Sequence, residues 1–168
     1  AGISIYKIFG TRRMQQNHYT LKEYNWYQDP RKKNYFKFCF VRNPWDRFLS
    51  TYFYLKKGGR GGKGDVRDAK ILNQFENFKE FVGNFDKIKN DLADRHFYEQ
   101  FFWIDSRIDL IGKFENFQQD FYIVCDKIGI PRQELPHKNK SKHKHYTEYY
   151  DDETKQIVAK KYAKDIEY

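Results

Sequence analysis

Residues 35–54 read YFKFCFVRNPWDRFLSTYFY and combine a strand, a tight turn and the start of a helix. The apolar run up to Val41, broken only by Lys37, predicts a largely buried strand. Pro44 suits the first position of a helix, because a proline lacks the amide hydrogen that is unsatisfied there. Asn43 is then placed to cap that helix. The stretch therefore predicts a strand–turn–helix unit of an α/β fold.

The turn places Arg42 where ligands bind in an open α/β sheet, at the carboxyl end of a strand. Helix N-termini also favour anions. Arg42 and Ser50, two turns into the helix, would offer a guanidinium and a hydroxyl to one phosphate. The alternative is an ordinary turn in which Arg42 pairs with a carboxylate. The residue types alone leave both interpretations open.

Composition predicts one domain, residues 1–168, with one core and a preference for anions. The 168 residues carry 32 basic and 23 acidic side chains, or 32 − 23 = +9, with a pI near 9.4. Sixteen Phe and 14 Tyr supply a core and argue against disorder. Cys39 in the strand and Cys125 in a helix predict two buried thiols. With no signal or membrane-span pattern, we expect a reducing, cytoplasmic location.

The order RNPWDRFLSTY, Arg42 to Tyr52, resembles the 3′-phosphate-binding segment of sulfotransferases that use 3′-phosphoadenosine 5′-phosphosulfate (PAPS). The similarity is to the carbohydrate-modifying, heparan- and chondroitin-type branch, sulfotransferase family 2. In that family the arginine and the serine bind the 3′-phosphate, which implies Arg42 and Ser50. The resemblance also implies a three-layer, P-loop-like fold with a small parallel sheet and helices on both faces.

The reaction implied by the resemblance moves a sulfuryl group from PAPS to a hydroxyl, with no metal. The expected acceptor is a carbohydrate or another hydroxyl compound, and not nucleic acid. Two alternatives stay open: a kinase-like P-loop enzyme, and a non-catalytic basic module that binds nucleic acid or sulfated glycans. His137, His143 and His145 suggest zinc, but the lysines between them would repel a dication.

The first residues are similar to the end of the family's 5′-phosphosulfate loop. This implies that Gly2, Ile3 and Ser4 contact the nucleotide, with backbone amides cradling the phosphosulfate. The strand and lysine that precede this loop in relatives would lie upstream of Ala1. Either such a segment precedes this sequence, or nucleotide binding and catalysis are weakened without it.

His18 is the candidate catalytic base. A lone histidine is more often a surface or packing residue. Family members, however, carry a histidine between the two nucleotide motifs, and in the heparan-type enzymes it is the base. The resemblance therefore implies that His18 takes the proton of the acceptor hydroxyl.

Three downstream segments carry further candidates. Residues 55–65, LKKGGRGGKGD, predict a mobile cationic loop or a contact for an anionic acceptor. The segment around DRHFYEQ resembles an acceptor-facing segment of relatives, which implies Arg95, His96 and Gln100. Relatives also fold a basic loop over the 3′-phosphate just before the last helix. This implies Ser141, Lys142 and Lys144.

Periodicity predicts the remaining elements. The spacing of Ile71, Phe75, Phe78 and Val82 predicts one helix that ends at Gly83. A strand over 110–113 precedes a helix that starts at Glu115 or Asn116 and ends at Gly129. A last helix over 151–168 carries an apolar stripe of Ile157, Val158, Tyr162 and Ile166. Alternating strands and helices predict a parallel sheet.

Overall fold

The computed structural model describes residues 35–93, 95–104, 106–135 and 143–168. Within these ranges the chain has two strands and five α-helices: β1 (Phe38–Val41), α1 (Pro44–Lys56), α2 (Lys63–Leu72), α3 (Phe78–Ile88), β2 (Leu110–Lys113), α4 (Phe117–Ile128) and α5 (Asp152–Lys161). Short 3₁₀ helices lie at Arg95–Phe97, Gln100–Trp103, Phe114–Asn116, Tyr146–Glu148 and Ala163–Glu167.

The chain divides into two compact units. The described residues of unit 1 are 35–42, 100–104 and 106–135, and those of unit 2 are 43–93, 95–99 and 143–168. The boundary falls between Arg42 and Asn43, inside the motif. Whether the chain behaves as the single expected domain stays a prediction.

Unit 1 contains the predicted parallel pair of strands. The register runs from Phe38 opposite Leu110 to Val41 opposite Lys113. Apolar side chains of β1 pack with Phe121, Val124 and Cys125 of α4, where the pattern placed a helix. Glycine is required at position 112, because a Cβ there would lie 2.5 Å from the Phe40 ring. The two-stranded parallel sheet confirms the mixed α/β class.

Both cysteines lie in unit 1 and are free thiols, but the prediction that both are buried holds only for Cys125. Cys125 is buried, whereas Cys39 is half-buried. Burial raises the pKa of the Cys39 thiol to about 11, since a thiolate is poorly solvated there. The folded state therefore holds this proton through the range in which an unfolded thiol loses it, and stability decreases as pH rises from about 8.5 towards 11.

We expect Cys39 to resist alkylation at pH 8. With a pKa near 11, the thiolate fraction is about a hundredfold below that of an ordinary thiol, because only the thiolate is nucleophilic. Iodoacetamide labelling followed by peptide mass spectrometry, with a urea-unfolded sample as reference, measures the ratio. Equal labelling rates in the two samples would contradict this placement of Cys39.

Unit 2 is an aromatic core built around Phe48. The inward side of α1 carries Phe48, Leu49, Tyr52 and Leu55 at spacings of three and four. The Phe48 ring has five aromatic neighbours at centroid distances of 5.0–6.1 Å: Phe78, Phe81, Phe85, Phe97 and Tyr162. Helices α1, α3 and α5 therefore share one core.

The predicted helix through Ile71 and Val82 is wrong, because the structure has two helices there. Helix α2 ends at Leu72, and α3 starts at Phe78 with the Asn77 side chain accepting from the Glu80 amide at 3.0 Å. The apolar spacing continued across the break because Leu72, Phe75 and Phe78 belong to one core. Gly83 accordingly lies inside α3 and ends no helix.

Replacement of Gly83 by alanine is expected to stabilise the protein by about 0.4–1 kcal/mol, since alanine favours a helix interior. Nothing lies within 4 Å of a Cβ at this position. The matched control is Gly129→Ala, which should destabilise by roughly 1–2 kcal/mol because Gly129 has φ +72°. Urea unfolding measures both changes, and a loss of stability in Gly83→Ala would contradict the observed helix bounds.

The glycine-rich loop after α1 is anchored by hydrogen bonds. Gly58, Gly59 and Gly61 have φ values of 87°, 56° and 81°, which suit glycine. The Asp65 carboxylate accepts from the Arg60 amide at 2.7 Å, and the Leu55 carbonyl accepts from the Gly58 amide at 2.8 Å. The predicted mobility of this loop stays a prediction.

The last helix begins with a capping box. The Asp151 side chain accepts from the Thr154 amide, and the Thr154 hydroxyl accepts from the Asp151 amide. A hydrogen bond from the Lys79 ammonium holds the pKa of Asp151 far below its ordinary value. The apolar stripe is buried at Val158 and Tyr162 but not at Ile166, which is 44% exposed, because α5 gives way to a 3₁₀ helix after Lys161.

Candidate functional site

Arg42 follows β1 directly and is held at its backbone and its side chain. Its amide donates to Gln100 Oε1 at 2.8 Å, and its carbonyl accepts from Gln100 Nε2 at 2.8 Å. The guanidinium lies over the Phe114 ring, with Cζ 4.7 Å from the centroid, a favourable cation–π geometry. Arg42 is half-buried. Unit 1 therefore presents a positioned cation at the carboxyl end of a strand.

The N-terminus of α1 in unit 2 is capped by its own chain. Asn43 Oδ1 accepts from the amides of Trp45 and Asp46 at 3.1 and 3.3 Å, as the sequence predicted for an Asn before Pro44. Those two amides are thus already hydrogen-bonded. A phosphate at this helix would have to be bound mainly by side chains.

Ser50 is half-buried in the second turn of α1. Positions three and four residues away share its side of the helix, so its neighbours on α1 are Asp46, Arg47, Phe53 and Tyr54. It stands apart from Phe48, Leu49, Tyr52 and Leu55, which are buried. Ser50 therefore does not belong to the centre of the aromatic core.

Arg95 and His96 lie in a 3₁₀ helix of unit 2, close to α1. Arg47 Nη2 donates to the His96 carbonyl at 3.0 Å, and the Arg47 guanidinium lies over the Tyr162 ring at 5.9 Å. The His96 ring meets Tyr54 edge-on at 5.6 Å, and Arg95 approaches the Tyr98 ring at 6.0 Å. The roles of Arg95 and His96 towards an acceptor stay predictions.

Gln100, the third predicted acceptor contact, belongs to unit 1 and is 8% exposed. Its carboxamide oxygen and nitrogen both bond to the Arg42 backbone. Sequence reasoning missed this contact, because Gln100 lies 58 positions from Arg42 and no local pattern links them. It also missed Phe114, which the sequence presents only as one of many phenylalanines.

Lys144 is exposed at the start of the C-terminal segment of unit 2. Its ammonium pairs with Glu148 Oε2 at 3.1 Å, and its amide donates to the Tyr149 hydroxyl at 3.3 Å. An exposed pair of this kind contributes at most about 1 kcal/mol. The ammonium could therefore exchange Glu148 for a phosphate at little cost.

A cavity of about 220 Å³ lies beside the N-terminus of α1 in unit 2. Its walls include Asn43, Trp45, Tyr146, Tyr150 and Lys155. Burial raises the pKa of the Tyr150 hydroxyl, so this group stays protonated and donates to the Trp45 carbonyl at 2.8 Å. The Trp45 indole donates to the Lys155 carbonyl at 3.1 Å. These bonds join the start of α1 to α5.

Six predicted site residues lie outside the described residues: Gly2, Ile3, Ser4, His18, Ser141 and Lys142. His137, one of the three histidines considered for zinc, also lies outside them. Within the described ranges, no group of three His, Cys, Asp or Glu side chains could hold a metal ion. In the same ranges, no helix is both long and apolar enough to cross a membrane.

Comparison with known proteins gives the family. The model of the sulfotransferase family, Sulfotransfer_2, matches residues 6–168. The chain is a member of this sulfotransferase family. The family-2-like resemblance read from Arg42 to Tyr52 is thereby confirmed, and sulfotransferase is the enzyme class that the family supports.

Two curated relatives of this sulfotransferase are distant. An uncharacterized protein of Archaeoglobus fulgidus is 29% identical over 99 residues, which cover 59% of this chain and 72% of that protein. Carbohydrate sulfotransferase 14 of Danio rerio is 28% identical over 118 residues, which cover 61% of this chain and 32% of the fish enzyme. No solved structure matches the chain.

Proposed function

We propose that this sulfotransferase transfers a sulfuryl group from PAPS to a hydroxyl of a carbohydrate acceptor. The observation that carries the proposal is the segment from Arg42 to Tyr52, which joins the end of a parallel strand to a capped helix in a chain of the sulfotransferase family. The carbohydrate acceptor is inferred from the printed name of the Danio rerio relative. The three-layer, P-loop-like fold belongs to the same proposal.

The side chains of Arg42 and Ser50 carry groups that can bind the 3′-phosphate of PAPS. Arg42 supplies a guanidinium that is already positioned by Gln100 and Phe114, and a guanidinium fork matches phosphate oxygens. Ser50 adds a hydroxyl, and their joint role rests on the family motif. Lys144, with Ser141 and Lys142, would cover the same phosphate. Gly2, Ile3 and Ser4 would hold the 5′-phosphosulfate.

Catalysis in this proposal needs position, charge stabilisation and a base. PAPS, when bound, supplies the sulfuryl group that the acceptor hydroxyl receives. His18 takes the proton of that hydroxyl as the new O–S bond forms and the S–O bond to the 5′-phosphate breaks, so that adenosine 3′,5′-bisphosphate is the leaving group. Basic side chains stabilise the charge that develops on oxygen, so no metal is needed. Arg95 and His96 are proposed acceptor contacts.

The exposed basic side chains of the loop after α1 and of α2 favour a negatively charged acceptor. Between residues 57 and 70, Lys57, Arg60, Lys63, Arg67 and Lys70 are all exposed. The two acids of this segment are buried. Asp65, at 7% exposure, accepts from the Arg60 backbone amide, and Asp68, at 0%, accepts from the Ala93 backbone amide at 2.6 Å. None of the five cations pairs with a carboxylate of the described residues. We call these five residues the cationic face.

The double variant Lys57→Gln/Lys63→Gln should raise the KM for an anionic polysaccharide roughly 2–30-fold, the scale of two exposed charge contacts. Lys87→Gln/Lys127→Gln is the matched control, because both lysines are exposed and the charge change is the same. The effect should shrink at high salt and be absent with a neutral acceptor. Equal effects of the two double variants would remove the cationic face from the acceptor site.

Transfer of ³⁵S from labelled PAPS to a panel of glycans tests the proposed function. We expect labelled glycan that depends on PAPS and is unaffected by EDTA. The cationic face also suits a basic module that binds polyanions without catalysis. Salt-sensitive polyanion binding with no transfer and no affinity for adenosine 3′,5′-bisphosphate would favour that second function over the first.

A further inference from the structure

We infer that Gln100 is a positioning residue that holds Arg42 in place for the 3′-phosphate of the donor nucleotide. The inference rests on the proposed function, in which Arg42 binds that phosphate. It assigns Gln100 a task that differs from the acceptor contact expected from the sequence. All the residues that carry it belong to unit 1.

The carboxamide of Gln100 acts as a two-point clamp on a single residue. Its oxygen accepts from the Arg42 amide and its nitrogen donates to the Arg42 carbonyl, both at 2.8 Å. The clamp fixes the carboxamide orientation, because the reversed orientation would place donor against donor and acceptor against acceptor. The ladder between β1 and β2 ends at Val41 and Lys113, so Gln100 holds the backbone one residue beyond it.

The clamp is partly protected from water. Gln100 is 8% exposed and Arg42 is half-buried, and a hydrogen bond is worth more where the local dielectric is low. A buried Gln that lost this contact would leave polar groups on both residues to be satisfied elsewhere. The environment therefore favours one backbone conformation at Arg42.

Backbone and head group of Arg42 are fixed together. Gln100 fixes the direction in which the Arg42 side chain leaves the strand. The Phe114 ring holds the guanidinium, with Cζ 4.7 Å from the ring centroid. An arginine has several rotatable bonds, and ordering them on binding costs affinity. A pre-positioned fork avoids that cost and recognises phosphate with the required geometry. Gln100 should thus control selectivity for 3′-phosphorylated nucleotides.

The test is a mutant cycle on nucleotide selectivity in the full chain. The measured quantity is the ratio of dissociation constants of AMP and adenosine 3′,5′-bisphosphate, obtained by calorimetry. Gln100→Met keeps the side-chain length without the hydrogen bonds, and we expect the ratio to fall about tenfold. In an Arg42→Ala background the same change should have no further effect, because coupled residues are not additive.

Gln118→Met is the matched control. The Gln118 carboxamide also makes two backbone bonds in unit 1, donating to the Gln133 carbonyl at 3.0 Å and accepting from the Leu135 amide at 2.8 Å. Loss of the Gln118 carboxamide should leave the ratio of the two dissociation constants unchanged. Circular dichroism verifies folding, and Gln100→Asn, whose carboxamide is neutral but one methylene too short to make both bonds, is the second variant if Gln100→Met does not fold.

The outcomes separate the two proposals. If Arg42→Ala lowers the ratio but both Gln100 variants leave it unchanged, the positioning role is wrong and the proposed function stands. A rise in acceptor KM without a change in the ratio would return Gln100 to the acceptor site and likewise overturn the inference. If Arg42→Ala does not alter the ratio, Arg42 is not the 3′-phosphate ligand and the inference fails, whereas the proposed function fails only if the parent shows neither a preference for the bisphosphate nor ³⁵S transfer.

Discussion

Replacement of His18 by alanine is expected to lower kcat by ~10²–10⁴-fold, the usual contribution of a general base. The acceptor hydroxyl must lose its proton as the O–S bond forms, and water is a poor substitute for a positioned imidazole. Dissociation constants for nucleotides should stay nearly the same, because the proposed mechanism has His18 act on the acceptor and not on the nucleotide. Initial rates with saturating PAPS, together with calorimetric titrations, separate the two effects.

The pH profile provides a second readout for His18. A histidine base acts only in its neutral form, so kcat should fall on the acidic side as the imidazole becomes protonated. The His18→Ala variant should lack this acidic limb. His145→Ala is the matched control, since this exposed ring bonds only locally in the described structure, to Thr147 at 2.8 Å. Full turnover in His18→Ala would rule out its role as base.

Replacement of Arg42 by alanine is expected to weaken binding of adenosine 3′,5′-bisphosphate by ~1.5–3 kcal/mol, roughly 10–150-fold. This is the contribution of a hydrogen bond to a charged group. The affinity for AMP should change little, because AMP has no 3′-phosphate. Calorimetry on both nucleotides gives the two dissociation constants from one protein preparation.

Two further arginine variants sharpen this result. Arg42→Lys keeps the charge but loses the planar fork, so its affinity should lie between those of the parent and Arg42→Ala. Arg132→Ala removes an arginine of unit 1 that pairs with Asp126 at the surface, and it should bind like the parent. An equal loss for AMP and the bisphosphate in Arg42→Ala would indicate a general charge effect and not a 3′-phosphate site.

The strand–turn–helix unit could be predicted because its signals are local. Pro44 and Asn43 fix the start of α1 through a missing amide hydrogen and a side-chain cap, and Gly129 ends α4 with a positive φ. The apolar run before Arg42 likewise fixed the strand. Each of these features depends on residues within one or two turns.

The break between α2 and α3 could not be predicted from apolar spacing. Leu72 and Phe78 face one core from the two sides of the break, and Phe75 packs against that core from within it, so a helical period runs through a segment that is not helical. Asn77 was the local sign of a new helix start, because its side chain caps the Glu80 amide. A capping residue was here more informative than the apolar period.

The candidate site was predictable where a residue type carries the chemistry. Arg42 and Ser50 could be singled out because a cation and a hydroxyl stand at fixed places in a local motif. The Gln100 clamp could not be found in this way, since it joins positions 42 and 100 through tertiary packing. The backbone of the motif's arginine is thus hydrogen-bonded by a residue outside the motif.

The 3′-phosphate site is tested most directly by calorimetric titration of the chain with adenosine 3′,5′-bisphosphate and, in parallel, with AMP. We expect the bisphosphate to bind at least tenfold more tightly, because a 3′-phosphate would gain a charge-assisted contact with Arg42. Equal affinities for the two nucleotides would contradict a 3′-phosphate site, and with it the proposed PAPS-dependent function.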